Sequence, residues 1–166
     1  TPIKSSAASD VYKRQLYTRA NVAYFGTFGY ELDLNKLTEE EQEEVKDQIR
    51  FMKQYRELFQ FGTFYRLRDP FQHNVAAWMV VSEDKKEAIV GWYRVLNVVN
   101  EAFHRRALKG LDPDLCYSSS ADGRSYYGDE LMNAGLNTSD ASAGEVTPEE
   151  TPSCDFDSRL YILKAE

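Results

Sequence analysis

Apolar and polar residues follow three rhythms along this chain, and each predicts a different element. Ala20, Val22, Ala23, Tyr24 and Phe25 form a short apolar run that leads into Gly26-Thr27-Phe28-Gly29. A run of this kind before glycine predicts a strand buried on both faces, as in a parallel sheet covered by helices. The glycines let the backbone turn sharply after it. From Thr38 the spacing becomes helical: Val45, Ile49, Met52, Tyr55 and Phe59 recur on one face. Thr38 followed by Glu41 is the capping-box pattern of a helix start. Glutamates crowd the first turns while Lys53 and Arg56 sit near the end, a polarity that suits the helix dipole. The glutamate run reads as a solvated face, and Gly62 is a natural stop.

Beyond Gly62 the period shortens to that of strands. Thr63–Leu67 reads as a strand ended by Asp69-Pro70. Val75–Ser82 and Ala88–Leu96 flank the charged turn Ser82–Glu87 and predict an antiparallel hairpin. Gly91 inside the second strand marks a bulge or a close neighbour. Shorter strands are expected at Arg105–Leu108 and Leu115–Tyr117, with turn chemistry at Gly110–Asp114. Tyr126–Met132 returns to regular structure, and residues 137–153, rich in Ser, Thr, Glu and Pro, predict a long exposed loop. Asp157–Lys164 closes the sheet. Several short strands at close spacing suggest a β-sandwich. The whole reads as α+β, a β/α piece over residues 16–62 and an all-β piece over 63–166.

Residues 1–15 stand apart. Ser5–Gln15 has no hydrophobic period and resembles the translated end of a sequencing-library adapter, so the first fifteen residues are expected to be a non-native, disordered leader outside fold reasoning; the alternative is an ordinary polar N-terminal arm, and both readings expect poor order there.

Composition narrows the function classes. The chain has 166 residues and a net charge of −7. A (β/α)8 barrel takes about 250 residues, so a whole barrel does not fit. The acidic balance and the lack of a basic stripe argue against nucleic acid as a partner. No apolar run approaches the roughly 18 residues of a membrane span. Cys116 and Cys154 are too far apart in sequence to suggest a disulfide framework and read as free thiols in a reducing compartment. His73 and His104 show no metal-ligand spacing with either cysteine. Asp112-Pro113-Asp114 lacks the further ligands a calcium loop needs and reads as a turn. Arg105-Arg106 reads as a solvated edge or an ion-paired one.

Several segments carry a family resemblance: Thr18–Glu41, Ile49–Leu67, Ala76–Leu96, Leu108–Tyr117, Tyr126–Leu136 and Phe156–Lys164, in order and with similar spacing. Together they resemble the bacterial α-galactosidases (melibiases) of glycoside hydrolase family 36, over essentially Leu16 to the C-terminus. The resemblance implies that residues 16–62 are the last β/α unit of a (β/α)8 barrel and residues 63–166 a C-terminal antiparallel β-sandwich domain. It implies a retaining enzyme that releases terminal α-galactose from oligosaccharides such as melibiose and raffinose. It also implies no metal or organic cofactor, a cytoplasmic location, and a homo-oligomeric parent such as a tetramer. Retaining hydrolysis needs two carboxyl groups about 5–5.5 Å apart. The family's nucleophile motif, KWDxNR-like, and its acid/base motif both lie upstream of the matching segments, and neither occurs here. No catalytic, cofactor or metal residue is therefore assigned, and the chain is expected to be a C-terminal portion that is inert alone. Glu31, Asp33, Asp129 and Glu130 are carboxylates that nothing places around a sugar. Glu31 follows the predicted strand at the face where barrel sites lie, and a structural role for it is favoured over one beside the active site.

Two other readings of the β piece remain. Trp78, Trp92 and Tyr93 would form a sugar-stacking platform in a carbohydrate-binding module, or belong to the core, where aromatics bury large apolar area. Trp92 and Tyr93 are adjacent and must face opposite sides of the sheet. Alternatively the β piece is structural, covering the barrel or bridging subunits.

Overall fold

The computed structural model describes residues 16–31, 33–96, 105–120, 122–138 and 155–166. The leader at 1–15, residues 139–153 of the expected loop, His104 and Cys154 lie outside the described residues.

The first described element is a helix, α1, over residues 16–23. This corrects the expectation of a strand there. A short apolar run does not distinguish the two states by period alone. Burial here follows the helix, because Ala20 and Tyr24, one turn apart, are buried while Val22 is 45% exposed. A helix also satisfies its own backbone without neighbouring strands. Tyr24 N–H donates to Ala20 O and Gly26 N–H to Ala23 O, both at 3.0 Å.

A 3-10 turn at Leu34–Lys36 precedes α2, Glu39–Phe61. The capping box forms as the sequence predicts: Glu41 N–H donates to Thr38 Oγ1 at 3.2 Å and Thr38 N–H to Glu41 Oε2 at 2.8 Å. Val45, Met52 and Tyr55 are buried, joined by Gln48 and Leu58, whereas Ile49 and Phe59 are half-buried. Gly62 N–H closes the helix on Leu58 O at 2.9 Å.

Eight strands follow: β1 Thr63–Arg68, β2 Val75–Val81, β3 Glu87–Arg94, β4 Arg105–Arg106, β5 Cys116–Ser119, β6 Ser125–Tyr127, β7 Leu136–Asn137 and β8 Asp157–Ala165. Helix α3, Gly128–Asn133, lies between β6 and β7. Six strands make one antiparallel sheet in the order β1-β2-β3-β8-β5-β6, and β4 pairs with β7 in a two-stranded ribbon. The predicted hairpin is present, with Val75 opposite Arg94 and Val81 opposite Ala88. The expected sandwich is corrected in one respect. Among the described residues the second layer is not a comparable sheet but the ribbon, α3 and the 108–115 segment.

Both faces of the central strands are buried, which explains why β2 and β3 read as nearly unbroken apolar runs. Val75, Met79, Val81, Ala88, Val90, Trp92, Tyr161 and Leu163 point to one side. There they pack with Leu108, Leu111, Tyr117, Leu131 and Leu136. Val80 and Ile89 point to the other side, against Tyr55 and Leu58 of α2. Neighbouring residues alternate in this way because the side-chain period of a strand is two.

Candidate functional site

A concavity lies where α1, β1 and the turn after β1 meet. Val22 and Phe25 reach it from α1 and the turn that follows. Phe64, Arg66, Leu67 and Arg68 reach it from β1, and Asp69, Pro70 and Phe71 from the turn. Trp78 on β2 forms part of its wall, and the volume is about 600 Å³. The turn is set by Asp69, whose Oδ1 accepts from Phe71 N–H at 2.9 Å. That turn leaves the Phe71 ring 96% exposed. Phe25 meets Phe64 and Trp78 edge-on, at 6.4 and 6.1 Å between ring centroids. The groove is thus aromatic on its walls, with two guanidinium groups and one carboxylate among its lining residues. It can pack an apolar surface. None of the side chains that line it pairs a nucleophile with a base.

The proposed stacking platform is not assembled. Trp92 is fully buried on the opposite face of the sheet, with the Arg94 guanidinium 4.8 Å above its ring. Tyr93 is buried on the groove side, its ring 4.4 Å from that of Trp78. Its hydroxyl donates to Asn21 O at 2.7 Å, and burial pushes the phenol well above its ordinary range. Trp78 alone of the three lines the groove.

The carboxylates singled out in the sequence are scattered. Glu31 is exposed on the connection to α2. Asp33 Oδ1 accepts from Asn35 N–H and Nδ2, both at 3.1 Å, which opens the 3-10 turn. Asp129 Oδ1 accepts from Glu130 N–H at 2.7 Å at the start of α3. α2 and α3 cover opposite faces of the sheet, so the two pairs of carboxylates stand on opposite sides of it. Asp112 Oδ1 accepts from Asp114 N–H at 3.1 Å, the turn that the sequence predicts. Arg105 is exposed and Arg106 half-buried on the ribbon, His73 is exposed, and Cys116 is a half-buried free thiol. Among the described residues, no three His, Cys, Asp or Glu side chains gather as a metal site, and no helix is long and apolar enough to cross a membrane.

Sequence reasoning missed a polar chain, buried at Asn21 and Ser158, that joins α1 to the sheet. Asn21 Nδ2 donates to Ser158 Oγ, Ser158 Oγ to Thr18 Oγ1, and Thr18 Oγ1 to Phe156 O, each at 3.0 Å. Asn21 and Ser158 are 1% and 2% exposed, so each depends on these partners. The available signal was a lone Asn inside an apolar run. A second polar cluster ties the next segment to α2. Tyr24 Oη donates to Gln48 O at 3.3 Å, and Tyr30 Oη bonds to Gln48 Oε1. Burial, followed by the Glu44 charge, pushes the Tyr30 phenol up to about 12.

Comparisons with known proteins bear on this arrangement. The family description "glycosyl hydrolase family 36 C-terminal domain" matches residues 75–163, and "melibiase" matches residues 5–62. The second match takes in residues 5–15, the stretch that resembles an adapter. The chain is 47% identical over 150 residues to the α-galactosidase AgaA of Geobacillus stearothermophilus, covering 90% of this chain and 19% of AgaA. It is 42% identical over 148 residues to the α-galactosidase Mel36A of Lactobacillus acidophilus, covering 89% and 19% respectively. The crystal structure of an AgaA variant in complex with raffinose superposes with a TM-score of 0.80 at 45% identity, over 90% of this chain and 19% of that one. The α-galactosidase of Lactobacillus brevis does so with a TM-score of 0.80 at 43% identity, over 90% and 20%. The chain spans about a fifth of the length of the curated relatives it matches.

Proposed function

The chain belongs to glycoside hydrolase family 36, and from that premise we propose that it is the C-terminal part of a retaining α-galactosidase. The observation that carries this is the alignment of nine-tenths of the chain with enzymes named α-galactosidases. On this reading residues 16–62 are the closing β/α unit of the catalytic barrel and residues 63–166 the C-terminal β domain, with the boundary at Gly62. The two family matches, one ending at residue 62 and one beginning at 75, support that division. The substrates are oligosaccharides ending in α-galactose, of which raffinose, bound in the AgaA variant structure, is the model.

Both catalytic carboxylates come from the upstream barrel, and hydrolysis proceeds without a metal or organic cofactor. The role of this part is structural. Its sheet backs the last barrel unit through the apolar contacts of α2 and the polar chain at Asn21. The enzyme is cytoplasmic and homo-oligomeric; light scattering on the whole protein checks the oligomeric state.

A chimera tests the reading. AgaA with its last fifth replaced by residues 16–166 of this chain should release galactose from raffinose, whereas the isolated chain should not turn over an aryl α-galactoside. The reading is lost if the chimera is inert while AgaA cut and rejoined to its own tail is active.

The carbohydrate-binding alternative now rests on Trp78 alone. Titrating the chain with galactosides to millimolar concentration should leave its tryptophan fluorescence without a saturable change. A saturable change would restore that reading.

A further inference from the structure

A helix leaves its last four carbonyls without a partner of its own. In α1 these belong to Ala20, Asn21, Val22 and Ala23. The chain that follows takes three of them. Tyr24 N–H donates to Ala20 O at 3.0 Å, Phe25 N–H to Val22 O at 3.3 Å and Gly26 N–H to Ala23 O at 3.0 Å. The fourth, Asn21 O, is the acceptor that Phe25 N–H would take if the helix went on. It accepts instead from Tyr93 Oη on β3, at 2.7 Å. The point where α1 stops is therefore set by a hydroxyl 72 positions away in sequence.

β3 holds the same end a second time. Gly91 leaves a notch in which Phe25 Cε2 lies 2.9 Å from where a Cβ would stand, and the Phe25 ring meets Phe59 edge-on at 5.1 Å. On its far side the turn Gly26–Gly29 is held from α2. Phe28 stacks on Tyr24 at 5.0 Å between ring centroids, and Tyr24 Oη donates to Gln48 O at 3.3 Å. Between these holds Gly26, Thr27 and Gly29 are exposed, and a Cβ at Gly29 would meet nothing within 4 Å. A turn fixed at both ends and open outward can present its backbone and the Thr27 hydroxyl to a neighbour without rearranging.

We propose that Tyr93 is a positioning residue for the galactosidase reaction: its hydroxyl caps α1 from the β domain and so sets where the Gly26–Gly29 turn stands. The proposal rests on the reading of residues 16–62 as the closing barrel unit. On that reading the connection from α1 to α2 is a loop leading into a barrel helix, and barrel sites are built from such loops. Tyr93 touches no reacting group and acts through Asn21 O. Without its hydroxyl, Asn21 O falls to Phe25 N–H and α1 runs on by one residue. Each residue added to a helix advances the chain by about 1.5 Å and turns it by about 100°, enough to swing the turn away from a bound sugar. The β domain then shapes the site without supplying a carboxylate to it.

Tyr93→Phe removes that hydroxyl and keeps the ring. Tyr117→Phe is the control. It also removes a hydroxyl from a buried ring, one that accepts from Asp112 N–H at 3.0 Å and donates to Lys85 O at 2.7 Å, but on the face of the sheet away from α1. In the isolated chain, Cα and carbonyl chemical shifts at Tyr24 and Phe25 should move toward helical values in Tyr93→Phe and stay in place in Tyr117→Phe. Shifts at those two residues that do not move in Tyr93→Phe overturn the cap. In the AgaA chimera a misplacement of about 1 Å can cost about a hundredfold in rate, so kcat/KM for raffinose should fall at least about tenfold in Tyr93→Phe. Tyr117→Phe should leave kcat/KM as it was. An active chimera in which Tyr93→Phe keeps its kcat/KM, or in which both variants lose it alike, overturns the positioning role and leaves the enzyme reading intact. A chimera inert before any substitution removes the enzyme reading, and the positioning role falls with it while the chemical shifts still decide the cap.

Discussion

Gly91 leaves a notch on β3 that the rings of Tyr93 and Phe25 fill, and replacing it with alanine tests how α1 and the turn after it pack on the sheet. A Cβ built at Gly91 lies 2.4 Å from Tyr93 Oη, 2.8 Å from Tyr93 Cε2 and 2.9 Å from Phe25 Cε2. Carbon contacts are comfortable only at about 3.5–4.0 Å, so the Tyr93 ring has to withdraw by roughly 1 Å. It cannot do so freely, because it is 5% exposed and lies against Trp78. Its hydroxyl also donates to Asn21 O at 2.7 Å, a bond that such a shift breaks.

Overpacking of this kind costs about 1–3 kcal/mol, and a buried hydroxyl without a partner about 1–3 kcal/mol more. Removing glycine from a strand interior returns about 0.5–1 kcal/mol. The expected net loss for Gly91→Ala is therefore about 1–5 kcal/mol. Urea unfolding followed by tryptophan fluorescence measures it, as a lower midpoint with an unchanged slope. Tyr93→Phe completes a double-mutant cycle. It removes the oxygen at the closest contact, so the double variant should be more stable than the sum of the single losses predicts, by more than about 0.5 kcal/mol. A Gly91→Ala chain within about 0.5 kcal/mol of the parent, or strictly additive losses, would show that Tyr93 does not fill this notch.

Three further outcomes follow from the same packing. Gly128→Ala should destabilise more than Gly91→Ala in the same urea assay, because its Cβ would lie 1.9 Å from the backbone oxygen of Asp112, which cannot swing aside as a side chain can; equal or smaller loss refutes the contact. Thr38→Ala removes the capping-box acceptor of Glu41 N–H and should cost about 1 kcal/mol, with no change expected if that helix end is frayed in solution. Burial raises the phenols of Tyr24, Tyr30 and Tyr93, so the unfolded chain loses those protons first. Stability should then hold below about pH 10, the ordinary phenol value, and fall as pH rises from there through the Tyr30 value of about 12. A urea midpoint that stays flat from about pH 9 to about pH 11.5 would contradict the burial of these rings.

What could be read in advance was what local chemistry decides. The start of α2 was legible because Thr38 and Glu41 satisfy each other's backbone within four residues. The β2–β3 hairpin was legible because its turn and both its strands are contiguous. The opposite facing of Trp92 and Tyr93 followed from the strand period alone. What escaped depends on partners far away in sequence. Nothing near Asn21 announces that its amide will meet Ser158, 137 positions on, or that its carbonyl will take the Tyr93 hydroxyl. Nor does a succession of strands reveal whether they will share one sheet or two. β8 settles that by inserting between β3 and β5, a pairing that joins Glu87 to Lys164 and Tyr117 to Ala165.

The α1 segment is the instructive case. Its residues suit a strand, but none of the described strands pairs with it, and the helix closes its own hydrogen bonds, with Tyr24 N–H on Ala20 O and Gly26 N–H on Ala23 O. Backbone satisfaction therefore outranked side-chain preference there. In the groove beside it Val22, Phe64 and Phe71 are 45%, 47% and 96% exposed, an apolar surface left open among the described residues. Such a surface should make the isolated chain self-associate, and if this part backs the barrel as proposed, that tendency should vanish in the AgaA chimera. Light scattering on the two proteins at equal concentration distinguishes the cases, and a strictly monomeric isolated chain would mean that the groove is better closed in solution than its geometry indicates.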